Sequence, residues 1–175
     1  MARIIKLTQA LKRQPDDLNG LLKKAVVLRK KLPDMEGTFV VKNLKALLSA
    51  KISDVLLKKD MIDSACFLCG IHIAQLLSDL TVTAPESWYA IDYILKSNQR
   101  GDPSALKQGA NVCFLICAVF KERGEHRAMT YRDYESMGMG LYFQFYSQTG
   151  KEIGYHMGRQ YRLMVRVTNE CLKTL

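Results

Sequence analysis

Long apolar runs are missing from this chain. The longest uninterrupted one, Val112 to Phe120, covers nine residues. That is about half of the ~20 needed to cross a bilayer as a helix, so no transmembrane insertion is expected. Proline is limited to four positions. No Gly/Ser-rich linker, low-complexity tract or repeat divides the chain, and its 175 residues read as a single domain, 1–175. Alternating strand patterns are also missing, as is a turn dipeptide set between two alternating runs, which argues against a β architecture. Catalytic signatures are equally scarce. There is no Gly-x-x-x-x-Gly-Lys-Ser/Thr loop, Gly-x-Gly-x-x-Gly, Gly-x-Ser-x-Gly or His-Glu-x-x-His. The reading therefore leans away from an enzyme and asks for no cofactor.

Acidic residues are the other shortage. Lys and Arg total 26 against 17 Asp and Glu, giving a net charge of +9 and a pI near 9.4. The excess is uneven, because residues 1–60 carry 14 basic and 6 acidic side chains. An acidic protein partner or a nucleic-acid backbone is the partner class that such a field attracts. Five cysteines are an odd number in apolar surroundings, which suits reduced thiols in a cytoplasmic protein better than a disulfide framework. The first residues, Met1 to Leu7, show no apolar core of a secretory signal. They are basic, as a mitochondrial presequence would be, but run almost without serine into a periodic segment, and the expected compartment is cytoplasmic.

What is present is helical spacing. Leu18, Leu21, Leu22, Ala25, Val26 and Leu32 share one face, with Lys23, Lys24, Lys30 and Lys31 opposite. Val41, Leu44, Leu48, Ile52 and Val55 continue the pattern, so residues 1–60 read as basic amphipathic helices. Residues 62–80 and 105–120 are apolar almost all round, as helices at the centre of a bundle are. These make 61–121 the apolar centre, followed by a Tyr/Gly-rich helical stretch over 130–175. Helix starts are marked by Pro15-Asp16-Asp17, the capping-box spacing Thr83-x-x-Glu86, Asp102-Pro103 and Thr130-x-x-Asp133. The expected fold is an all-α bundle of roughly seven helices with two strongly apolar central ones.

The candidate sites follow from this frame. On the last helix Tyr155, His156, Arg159, Arg162, Arg166 and Lys173 fall on one side, and a row of guanidinium groups binds carboxylate or phosphate by forked hydrogen bonds. Lys23, Lys24, Lys30 and Lys31 form a second basic surface. Lysine neutralises phosphate without reading base edges well, so nucleic-acid binding there would be non-specific and salt-sensitive. A solvated face is the competing reading for both. Gly150, Gly154 and Gly158 recur every four residues and are read as a helix-packing row, with self-association its simplest use if the row lies on the surface. A small-molecule pocket built from Tyr131, Tyr142, Tyr146, Tyr155, His156 and Arg159 is a third possibility. Cys66 and Cys69 with Cys113 and Cys117 have spacings that place each pair on one helical face, within reach of zinc or an iron–sulfur cluster. Their Phe, Leu, Ile and Ala flanks favour core packing instead, as they do for His72. Glu152 and His156 stand four apart, and no Glu-x-x-His unit supports a di-metal site. The leading functional expectation is a non-enzymatic interaction module with a basic surface.

Overall fold

The fold is described from a computed structural model over residues 37–61, 63–120 and 129–174. Lys23, Lys24, Lys30, Lys31 and His126 lie outside these residues. Six helices follow one another: α1 (Gly37–Lys58), α2 (Ser64–Leu80), α3 (Ala90–Arg100), α4 (Pro103–Ala118), α5 (Tyr131–Thr149) and α6 (Glu152–Lys173). No strand occurs among the described residues. The expected all-α class is what the molecule shows, with six helices described where roughly seven were expected over the whole chain.

Local chemistry sets most of the boundaries. Asp102 accepts a hydrogen bond from Ser104 N at 2.9 Å, and Pro103 opens α4 where its missing N–H leaves nothing unsatisfied. Thr130 and Asp133 close a reciprocal capping box, with Thr130 N donating to Asp133 Oδ2 at 2.6 Å and Asp133 N to Thr130 Oγ1 at 3.3 Å. Asp63 caps α2 by accepting from Ala65 N at 3.1 Å. The spacing Thr83-x-x-Glu86 starts no helix, since α3 begins only at Ala90. Glu86 is engaged by Lys96 Nζ at 2.8 Å. The Tyr93 hydroxyl accepts from Ser87 N at 3.1 Å and donates to Ser87 O at 3.0 Å. The segment is thus held as an extended strap over α3.

Gly150 corrects a second expectation. It adopts φ +68° as the left-handed cap of α5 and lies outside α6. A left-handed residue ends a helix at little cost only when it lacks Cβ. The four-residue rhythm therefore joins two different structural jobs, and only Gly154 and Gly158 belong to α6.

The core is organised by α4 and α6. From Val112 to Phe120 every residue is buried. Helix α4 packs chiefly on α5, then on α3 and α6, while α6 also contacts α1 and α2. Helix α2, expected at the centre, instead lies to one side. Cys66, Cys69, Ile73 and Leu77 face the core, whereas Leu68 is 41% and Ile71 50% exposed. All-round apolarity marks the centre for α4 and does not for α2, because α2 has packed neighbours in α1 and α6 but only weak contact with α4.

Candidate functional site

Helices α5 and α6 run antiparallel, joined by the turn at Gly150. Their close approach depends on three glycines in the seam. A Cβ on Gly154 would lie 2.7 Å from the carbonyl oxygen of Tyr142 and 3.0 Å from Tyr146 N. One on Gly158 would meet the Phe143 ring at 2.9 Å, and one on Gly138 would collide with the Tyr161 hydroxyl. Of the glycine row that self-association would require on the surface, Gly154 and Gly158 are therefore occupied by α5. With so little side-chain bulk between the helices, their outward sides merge into one face.

That face has an aromatic end and a basic end. Phe143, Tyr146 and Tyr155 are 37%, 38% and 36% exposed. Tyr155 sits at the middle, with ring centroids 6.3 Å from Phe143, 5.4 Å from Tyr146 and 5.6 Å from His156. Arg159 lies over the Tyr155 ring at 5.8 Å and donates from Nη1 to its hydroxyl at 3.1 Å. This contact holds the guanidinium in place and leaves its other N–H groups for an acceptor. His156 is drawn to Glu152, with Nε2 and Oε2 3.7 Å apart.

Beyond Arg159 the exposed line of α6 runs through Arg162, Arg166 and Lys173. Arg162 Nε is 3.1 Å from Oε2 of Glu135, a carboxylate on α5 that is only 9% exposed. Arg162 thus serves the fold. The same antiparallel register brings the exposed Arg132 of α5 to the level of Arg166. The basic end is therefore built from both helices.

Tyr155, His156, Arg159, Arg162, Arg166 and Lys173 thus share the side of α6 that their spacing predicts. Phe143 is the residue of this face that sequence reasoning does not single out, and Tyr146 enters that reasoning only as a pocket residue. Apolar residues occupy two opposite sides of that helix. Only the positions of α4 and α6 decide which side is covered.

No family model, no curated protein and no solved structure matches this chain.

The six residues proposed as a tyrosine pocket are divided by the fold. Tyr142 is fully buried, and its hydroxyl donates to Asn111 Oδ1 at 2.6 Å with His72 Nε2 3.3 Å away. Tyr146, Tyr155 and Arg159 stand on the outer face instead. Tyr131 is half-buried near Cys117, whose Sγ is 4.0 Å from the Tyr131 carbonyl oxygen. His72 also contacts Asn111 Oδ1 at 3.1 Å, so it completes a polar link joining α2, α4 and α5. Burial, helped by the nearby charge of Lys107, lowers its pKa to about 4 despite the Asn111 hydrogen bond.

The cysteines are buried and unpaired with one another. Burial raises the thiols of Cys69, Cys113 and Cys117 to about 12 and that of Cys171 to about 11. Cys66 is also raised, first by burial and then by Asp63. Among the described residues no group of three or more His, Cys, Asp or Glu side chains is placed to hold a metal ion. None of the described helices is long and apolar enough to cross a membrane.

Proposed function

We propose that the chain is a non-enzymatic helical interaction module that meets an acidic protein partner through the joint outer face of α5 and α6. The observation that carries this reading is the Tyr155–Arg159 unit, a hydrogen-bonded pair fixed on the surface between exposed Phe143 and Tyr146. Tyrosine and arginine held rigid beside one another resemble the anchors that dominate protein interfaces, because little side-chain freedom is left to lose on binding. Arg166, Arg132 and Lys173 extend the anchor with positive charge, and the basic first third of the chain adds to the field.

A nucleic-acid backbone is the alternative partner. Base stacking requires free ring faces, and Tyr155 already has the Phe143, Tyr146 and His156 rings around it and Arg159 on its hydroxyl. This favours a protein over a single strand. The test is an NMR titration of the chain with a glutamate-rich peptide carrying one tyrosine, and in parallel with a thymidine oligonucleotide. The reading expects the peptide to shift residues 143–146, 155–159 and 166, and Arg159→Glu with Arg166→Glu to abolish the shifts. Tighter binding of the oligonucleotide at ~50 mM salt, falling steeply by ~200 mM, would place nucleic acid first. No response at this face to either probe would remove the proposal.

A further inference from the structure

A groove of about 290 Å³, with no α5 or α6 residue in its lining, lies where α2 and α4 approach each other only weakly. Its walls are apolar, with Leu76 and Leu80 from α2 and Val112 and Leu115 from α4. Pro85 and its neighbours close one side, on the strap that Tyr93 fastens at Ser87 and Lys96 fastens at Glu86. This volume is near the lower end for small-molecule pockets, which combine an apolar lining with a few fixed polar groups.

Those polar groups are present and of one sign. Asp79 lines the groove on α2, and Gln75 Nε2 donates to its Oδ1 at 2.5 Å, which orients the carboxylate and leaves Oδ2 available. Glu86 is the other charged residue of the lining, already paired with Lys96, and neither lysine nor arginine belongs to it. Lys107, whose charge is felt at both His72 and Asp79, does not line it. Asn111 is fixed from behind, because its Oδ1 receives the Tyr142 hydroxyl and contacts His72. We propose that the groove is a binding site for a small amphiphilic amine, its apolar body held between α2 and α4 and its ammonium on Asp79.

The test uses three ligands with similar aromatic bodies: 2-phenylethylamine, 2-phenylethanol and 3-phenylpropionate, each titrated into the full chain and followed by amide chemical shifts. The amine is expected to shift residues 76–80 and 111–115, and to bind up to about fivefold more tightly than the alcohol, as one exposed ion pair implies. The carboxylate is expected not to bind. Asp79→Asn should bring the amine to the level of the alcohol. Ala84→Trp, at an exposed lining position, should abolish binding by all three while the rest of the spectrum stays native. Absence of amine binding at millimolar concentration overturns the proposal. Equal binding of amine, alcohol and carboxylate does so too, as does an Asp79→Asn variant that binds the amine as well as the parent does.

Discussion

Gly154 and Gly140 sit on opposite sides of one question, whether a missing Cβ is needed. At Gly154 an added methyl meets backbone atoms of α5, which cannot swing aside, whereas at Gly140 nothing lies within 4 Å. Gly154→Ala should therefore destabilise the protein by about 2 kcal/mol through overpacking. Gly140→Ala, exposed inside α5, should stabilise it by up to ~1 kcal/mol through helix propensity. Urea unfolding of the two variants checks both signs, and equal effects would contradict the packing described for the α5–α6 seam. The thiols obey a similar local logic. With Cys69, Cys113 and Cys117 at about 12, almost no thiolate exists near neutral pH. An Ellman assay should find the native protein nearly inert and all five cysteines reactive once it is unfolded. Rapid native reaction of two or more would show that the interior is open. Burial of these cysteines follows the apolar flanks visible in the sequence. The distance between the Cys66–Cys69 and Cys113–Cys117 pairs does not, since it depends on where α2 comes to rest.

At the scale of elements, α2, α4 and α5 are joined by one polar link, His72 with Asn111 and Tyr142, inside otherwise apolar packing. The imidazole falls from an ordinary 6.5 to about 4, so the folded state prefers it neutral. Its stabilising effect is complete above the ordinary value. It is lost as pH drops from about 6.5 toward 4, where the unfolded chain takes up a proton that the native chain resists. The loss at pH 4 is on the order of 3 kcal/mol. Melting curves of the parent and His72→Gln between pH 7.5 and 4 should show a shallower acid slope for the variant, and parallel slopes would contradict the assignment. Sequence spacing reads α6 well because its polar arc is continuous from Tyr155 to Lys173. It misreads α5, where Tyr134, Leu141 and Phe145 on one side and Phe143 and Tyr146 on another are equally apolar, and packing alone chooses between them. The caps divide in the same way. Thr130 finds its local partner in Asp133, whereas Glu86 is taken by Lys96 from ten residues further on, a competitor that a four-residue motif does not contain.

For the whole molecule, the positive charge and the fold make separable contributions. Arg162 neutralises the buried Glu135 and belongs to stability, while Arg159 and Arg166 are exposed and are the residues we propose for recognition. Arg162→Ala should destabilise the chain by about 1–3 kcal/mol by leaving a carboxylate in the seam without its partner. Arg159→Glu with Arg166→Glu should leave the melting temperature nearly unchanged. The basic character that suggests a partner is plain in the composition, but the place we propose for it emerges only once α5 lies beside α6 and an aromatic cluster appears next to the guanidinium row. Site-specific photo-crosslinking of the full chain in its native extract tests this most directly. A crosslinker replacing Tyr155 or Arg166 should capture an acidic protein segment that the charge-reversal variant does not capture, while one at Ile91 on α3 captures none of it. Equal capture from Ile91, or adducts that disappear with nuclease treatment, would contradict the account.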